Sequence, residues 1–594
     1  MTQKSLALVG SADGWRAGRG GVRRTLLICP PFQHTRVAPL STVLLATFLR
    51  THGLECREAH LHFELARLLG TERYLAVASD EGSTAGELLF AEGLHGELLA
   101  ESAREELSAH FGPLAERTRM LSRFAASCLE QLSAARPDVI GLTTSLNQLM
   151  AALWLAKLVK QHVPQARVVL GGASCTDPMG RQILAAYPYV DLVVSGAGEL
   201  PLLKLARGEE PAERFIESYQ PVDLDALPTP DFSVLLEQAG EFSADPRFML
   251  TFESSRGCWW GEKMHCRFCG LNGKQMRFSE KSSARVLAEV RGLWDAHRHP
   301  LMATDTILSR THLKEVISKL AEFPERPRLF YEVKANMTQA EVVSLKRANA
   351  TTLQPGIESL STHLLQLMQK GTTAIQNLAL LKWSREQGIS LAWNQLCGIP
   401  GESVDDYDAQ IALIEQIPHF NPPDGPNPVR LDRYSPYFAK YQEFGWSAVQ
   451  PLRQYPLLHP QLAADDVARI SFRFTGVGAV EPEQYLERFT AAVSRWRSRH
   501  DAGDGLFLHP QQGLIRNSAG KGFRFLPGPT LDAIVANTHD IVHVPWLLER
   551  VGCERSLLEE LARQGIVYIE GNKVLNLAVR SEPPSDAGEL AGAS

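Results

Sequence analysis

Apolar residues gather in short unbroken runs along the first third of the chain. TLLICPP (25–31), DVIGLTTS (138–145), RVVLGGA (167–173) and DLVVSGAGE (191–199) each close on proline, glycine or small polar residues, and each leads into a stretch of helical period. An unbroken run closed by a turn is the pattern of a parallel strand covered on both faces. LECREAH (54–60) adds a strand, and Leu149, Leu153, Ala156 and Val163 lay an apolar face on the helix after Asn147. This alternation predicts an α/β, doubly wound (Rossmann-like) domain over 1–220, interrupted by a mostly helical insertion at about 62–135.

Beyond PVDLDALPTPDF, whose three prolines make 221–245 a semi-rigid linker, the alternation resumes. Strands are predicted at 247–255, 300–305, 328–335, 351–357, 389–396 and 428–434, with helices between them; Thr338 and Glu341 form a capping box for one. Six such units over 246–470 predict a partial (β/α)6 barrel. WLLERVG and SLLEELARQGIVYIEGNKVLNLAV, within 471–580, give a helix–helix–hairpin pattern, a small α+β domain similar to a winged helix. The composition of 581–594 predicts a disordered tail.

Composition narrows the function classes. The 594 residues are 44% apolar and 22% charged, material for several cores, and the net charge of −6 disfavours a general nucleic-acid binder. No apolar run approaches the roughly 20 residues that span a bilayer, so no membrane partner is expected. The first 24 residues do not read as a signal peptide. Nine cysteines, sparse outside one cluster, fit a reducing cytoplasm better than a disulfide scaffold.

That cluster, SSRGCWWGEKMHCRFCGLNG (254–273), follows directly on the first barrel strand, and barrels gather their reacting groups at the carboxyl ends of strands. A disulfide would leave one of Cys258, Cys266 and Cys269 over. Zinc would take His265 as fourth ligand but lacks a second short cysteine hook. Three thiolates from one loop suit a [4Fe–4S] cluster, with one iron open to a substrate or cofactor. In the first domain, Pro31, Thr144, Ser145, Gly171, Gly172, Gly196, Gly198 and Glu199 stand at the carboxyl ends of strands, where open sheets bind ligands. With no G-x-G-x-x-G after the first strand, a nicotinamide dinucleotide is disfavoured.

The cysteine stretch resembles the longer-gap form of the cluster motif in radical S-adenosylmethionine (SAM) enzymes that mature ribosomally made peptides. YEVKAN (331–336), QPGIESL (354–360), MQKGTTAIQNLALLKW (368–383), WNQLCGIPGES (393–403), LDRYSPY (431–437) and GNKVLNLAV (571–579) fit the same family. The first domain then resembles the cobalamin-binding domain that precedes many such barrels. The resemblance implies that Cys258, Cys266 and Cys269 hold a [4Fe–4S] cluster. It implies that Phe268, Thr304, Asp305, Glu332, Lys334 and Glu358 surround SAM, and that Trp393, Tyr434 and Tyr437 meet the substrate. Methylcobalamin would be the methyl donor, a precursor peptide the substrate, and a flavodoxin or ferredoxin the electron donor. A radical cyclase or thioether-forming enzyme and a non-catalytic corrinoid- or cluster-binding regulator are the alternatives. SGAGE has Ala197 where the family often carries a glutamate, and Asp-x-His-x-x-Gly is absent, so no histidine from that motif would ligate cobalt. His34, His52, His60 and His62 are expected to be solvated or hydrogen-bonded.

Overall fold

The computed structural model describes residues 15–16, 21–79, 84–145, 147–478, 482–518, 522–525 and 528–580. The expected tail at 581–594 lies outside them. Six strands, β1 (Thr25–Cys29), β2 (Cys56–His60), β3 (Val139–Thr144), β4 (Arg167–Gly172), β5 (Leu192–Gly196) and β6 (Phe215–Ser218), form one sheet in the order β2-β1-β3-β4-β5-β6. Every pairing is parallel. The order reverses between β1 and β3, and that switch point is where such sheets open a crevice at their carboxyl edge. Burial explains the unbroken apolar runs: Leu26 and Ile28 face one core, and Leu27, Val139 and Val169 the other.

Five helices, from Leu61–Leu69 to Leu114–Ala135, make up the insertion. Tyr74, Phe90 and Phe124 of this insertion are fully buried and extend the sheet's core. The stretch 221–245 is docked rather than free. Its helix Ser233–Ala239 sends Gln238 Nε2 to the Glu58 carbonyl at 2.8 Å and accepts the His60 amide at 2.8 Å.

The barrel begins at β7 (Leu250–Phe252) and continues through β8 (Leu301–Ala303), β9 (Leu329–Val333), β10 (Ala350–Pro355) and β11 (Ser390–Leu391), paired in chain order. The strand expected at 389–396 is broken into β11 and β12 (Gln395–Cys397); β12 meets the end of β10 through a bridge from Gln395 to Glu358. The last strand is β13 (Pro426–Pro428), parallel to β12, and not the expected 428–434. Leu431–Asp432 instead joins an antiparallel sheet with Arg473–Val477 and Ala448–Pro451, so that sheet runs across the anticipated division at 470/471. The capping box of helix Gln339–Arg347 is formed, with Thr338 N donating to Glu341 Oε2 at 2.7 Å, a cap worth about 1 kcal/mol.

In the C-terminal part, helices Val544–Val551 and Arg555–Arg563 lead into the hairpin Val567–Glu570/Lys573–Asn576, whose second strand also pairs with Val542–His543. That is the expected helix–helix–hairpin arrangement. Buried Lys382 ties it to the barrel: its ammonium donates to Asn576 Oδ1 at 2.8 Å and to the carbonyls of His539 and Asn576, each at 3.1 Å. Among the described residues, no helix is long and apolar enough to cross a membrane.

Candidate active site at the meeting of sheet and barrel

The cysteine loop leaves β7 as an extended segment, Ser255–Arg256, which pairs antiparallel with Ser279–Glu280 and closes the loop at its base. Asp305 secures this base from the end of β8. Its carboxylate accepts the amides of Ser254 at 2.7 Å and Ser255 at 3.0 Å, and the Ser254 hydroxyl. Asp305 is buried, and both of its carboxylate oxygens are engaged in these contacts, which position the loop. Cys258 caps the short helix Trp259–Lys263, its sulfur accepting from Gly261 N at 3.3 Å. Arg267 fixes the far side of the loop through its amide to the Met368 carbonyl at 3.0 Å and its guanidinium to the Leu367 carbonyl at 2.9 Å.

The three thiols lie near enough to one another to interact: Cys258 and Cys266 both act electrostatically on Cys269. They are not a set whose donors all lie within 4.8 Å of one another. A lone tetrahedral ion with sulfur at about 2.3 Å would need that, whereas a four-iron cluster spreads its thiolates more widely. His265, the alternative zinc ligand, is engaged through Nε2 with the Cys269 carbonyl at 2.8 Å. Burial pushes the Cys269 thiol up to about 12 and raises Cys266, while Lys370 pulls both down. An iron cluster would take all three as thiolates and remove that burial penalty, so the donor set fits the group.

Cations and carboxylates from β9, β10 and the following loop surround the sulfurs. Lys370, from the MQKG stretch, ion-pairs with Glu358 at 3.0 Å and lies 5.4 Å from the centre of the Phe268 ring. Burial opposes its charge, but Glu358 and Cys266 hold it well above the usual lysine range. Lys334 donates to the Lys370 carbonyl at 2.6 Å and stands 3.7 Å above the Trp260 ring, and burial lowers it to about 8. Sequence reasoning quoted the MQKG stretch but assigned Lys370 no role; a lysine beside a glycine in a motif was the available signal.

Glu332, also on β9, is pushed up to about 7 by burial and by Glu358 and Asp305, against Lys370. Because the fold holds its proton more tightly than the unfolded chain, stability falls as pH rises from the ordinary carboxylate range through 7. Glu332→Gln is therefore expected to stabilise the apoprotein at pH values above about 7, by at most about 3 kcal/mol, and not at all below about 4.5. Denaturant titrations at both ends of that range test this. The same substitution is expected to weaken SAM binding, measured by calorimetry, if this carboxylate meets the cofactor.

An open cleft of about 610 Å³ lies between the carboxyl edge of the sheet and the barrel mouth. Gly171, Gly172, Gly196, Gly198 and Glu199 line it from the sheet side, and Thr304 from the barrel. Pro31, Thr144 and Ser145 lie outside its wall. Thr144 Oγ1 is turned inward to the Gly171 carbonyl at 3.0 Å, and Ser145 accepts Ser174 Oγ at 3.0 Å. Two glycines are required by space. A Cβ on Gly172 (φ +110°) would stand 2.2 Å from the Thr144 carbonyl oxygen, and one on Gly196 (φ +108°) 2.3 Å from that of Ser218. The cleft therefore has bare backbone for one wall, which suits a broad ligand face.

Four buried side-chain atoms of residues in its wall have no protein partner: Glu199 Oε2, Glu253 Oε2, Ser255 Oγ and Asn272 Nδ2. Unpartnered buried groups are costly unless a ligand or water meets them. Sequence reasoning did not single out Asn272, Arg256, Lys274 or Gln275, which complete the wall from the cysteine loop side.

The three expected substrate aromatics are placed differently from one another. Trp393 is buried, donates to the Asn421 carbonyl at 3.0 Å and packs edge-on against Trp496 at 5.9 Å, so it belongs to the core. Tyr437 is also fully buried, against Phe444 and Trp446. Tyr434 reaches across to the sheet domain, donating to the Asp177 carbonyl at 2.7 Å, and works as an interdomain tie.

Residues 252–414 match the family model of the Radical SAM superfamily. An uncharacterized methyltransferase of Pyrococcus horikoshii is 24% identical over 305 residues, 47% of this chain and 64% of that protein. The anaerobic magnesium-protoporphyrin IX monomethyl ester cyclase of Cereibacter sphaeroides is 22% identical over 309 residues, 46% of this chain and 48% of that enzyme. The chain thus spans about half to just under two thirds of these relatives' lengths. Among solved structures, the radical SAM methyltransferase TsrM from Kitasatospora setae, with tryptophan and a SAM analogue bound, superposes with a TM-score of 0.55 at 16% identity, covering 81% of this chain and 90% of TsrM. The cobalamin-dependent radical SAM enzyme OxsB with aqua-cobalamin gives 0.52 at 14% identity, covering 81% and 67%. Residues 252–414 thus match a radical SAM domain, a domain that works with a [4Fe–4S] cluster and SAM, and the fold around it is similar to the folds of TsrM and OxsB.

Proposed function

We propose that the chain is a cobalamin-dependent radical SAM C-methyltransferase that modifies an unactivated carbon of a ribosomally made precursor peptide. One observation carries the reading: a single cleft is walled on one side by the bare glycine edge of the sheet and on the other by the cysteine loop. Cys258, Cys266 and Cys269 do not themselves line the cleft; a corrin seated against Gly172 and Gly196 would face the residues that flank them, Gly257 and Asn272. When bound, cluster, SAM and methylcobalamin supply reductive SAM cleavage and a transferable methyl group; the protein's part is placement and exclusion of water. Cys258, Cys266 and Cys269 hold the cluster. Glu332, Lys334 and Glu358 offer the charges that a zwitterionic sulfonium cofactor pairs with, and Lys370 neutralises the thiolates. The peptide substrate is supported by the run of motifs shared with peptide-maturing enzymes, and the winged-helix-like domain docked on the barrel offers a second surface for a long substrate. The electron donor is a flavodoxin or ferredoxin.

Anaerobic reconstitution with cluster, methylcobalamin, SAM, a reductant and a precursor peptide tests the reading. Expected together are 5′-deoxyadenosine, S-adenosylhomocysteine and a peptide heavier by one methylene. 5′-Deoxyadenosine with a peptide lighter by two hydrogens would instead support radical cyclisation. Cofactor binding without SAM cleavage would leave only a binding role.

A further inference from the structure

We infer that Cys29, His60 and His62 form a structural site for a divalent cation of the zinc class, separate from the cysteine loop. One donor atom of each lies within 4.8 Å of the other two, and all three residues are buried, at 0%, 1% and 0% exposure. The topology brings them together. Cys29 ends β1 and His60 ends β2, and these two residues are direct partners in the parallel register, so their side chains leave the same face. His62 follows in the first turn of helix Leu61–Leu69, its ring centre 6.0 Å from that of His60 and at right angles to it.

The ring nitrogens are what mark this as a site rather than ordinary core. Both nitrogens of His62 and Nδ1 of His60 have no hydrogen-bond partner. Each such buried group costs on the order of 1–3 kcal/mol. The other nitrogen of His60 is held by Glu58 at 3.1 Å, and Glu58 is in turn held by Arg50. A carboxylate on the far nitrogen fixes the tautomer that turns the near nitrogen to a metal, as metal-bound histidines usually require. Gln148 Nε2 stands 3.5 Å from the Cys29 sulfur, able to donate to it as a thiolate. One thiolate and two imidazoles suit zinc or cobalt better than calcium or magnesium. Binding would release the Cys29 thiol proton to solvent, and the ion would lock β1, β2 and the helix after them. The docked segment reinforces the same corner through Gln238, whose side chain bonds the backbone of Glu58 and His60.

The test uses the full chain carrying Cys258→Ser, Cys266→Ser and Cys269→Ser, so that no iron cluster competes, with zinc or cobalt(II) alone as probe. The expected result is one equivalent of metal per chain after dialysis against a weak chelator. Cobalt(II) should give a thiolate charge-transfer band, and X-ray absorption should show both sulfur and imidazole nitrogen. Adding Cys29→Ser or His62→Gln should cut retention more than tenfold, and chelation should lower the melting temperature of the parent but not of the Cys29→Ser form. The inference is overturned if the parent takes up no metal, if the bound metal has no sulfur neighbour, or if both added substitutions leave retention unchanged. The sulfur signature in the parent decides the matter even where His62→Gln fails to fold. None of these readouts depends on SAM cleavage or methyl transfer.

Discussion

Cys266→Ala is expected to yield a folded protein that assembles no stable iron–sulfur cluster and releases no 5′-deoxyadenosine. The loss should exceed the roughly 10–100-fold that removing an outer-shell partner costs a metal site, because a direct ligand is gone. The loop itself should survive. Its base is the pairing of Ser255–Arg256 with Ser279–Glu280 under Asp305, and its far side hangs on Arg267, none of which involves the Cys266 sulfur. Removing a thiol that burial already disfavours as a thiolate should leave the apoprotein's melting temperature nearly unchanged. Iron and sulfide content, visible absorption and 5′-deoxyadenosine measure the first effect, and a thermal melt of the apoprotein the second. Full iron content with undiminished SAM cleavage in Cys266→Ala would overturn the assignment of the cluster to this loop.

What the sequence disclosed, and what it hid, follows from how far apart the deciding contacts lie. Strands β1 and β3 to β5 were legible because a strand covered on both faces must be apolar throughout, and that shows locally. The position of the cysteine loop was legible for the same reason, since it follows a strand whose pattern is plain. The barrel's last strand was hidden: Pro426–Pro428 carries two prolines, and the better-looking Leu431 is claimed by Phe474 across an antiparallel pair. Trp393 and Tyr437 sit in motif stretches, but their burial is settled by Trp496 and Trp446, which no local pattern links to them. Asp305 was correctly placed at the end of a strand, yet only the structure shows that backbone amides consume it. The histidines 60 and 62 read as unremarkable until parallel register sets Cys29, 31 positions before His60, beside them.

Arg256→Met is expected to destabilise the junction of sheet and barrel by about 1–3 kcal/mol, less than the cost of breaking a fully buried ion pair because the Arg256 side chain is 27% exposed. The guanidinium bridges two carboxylates from different parts of the fold: Glu199, at the start of the helix after β5, at 2.6 Å, and Glu253, just after β7, at 2.7 Å. The side chains of Glu199 and Glu253 are only 4% and 11% exposed, and each already has one oxygen without a protein partner. Methionine fills a similar volume but leaves both carboxylates without their cation. Glu199→Gln in the Arg256→Met background should recover part of the loss, because one of the two stranded charges is then gone. Denaturant melts of the single and double variants test the electrostatics. Cobalamin retention on gel filtration tests the site, since Arg256 and both carboxylates line the cleft. No rescue by Glu199→Gln would mean that Arg256 acts there by packing its stem and not by its charge.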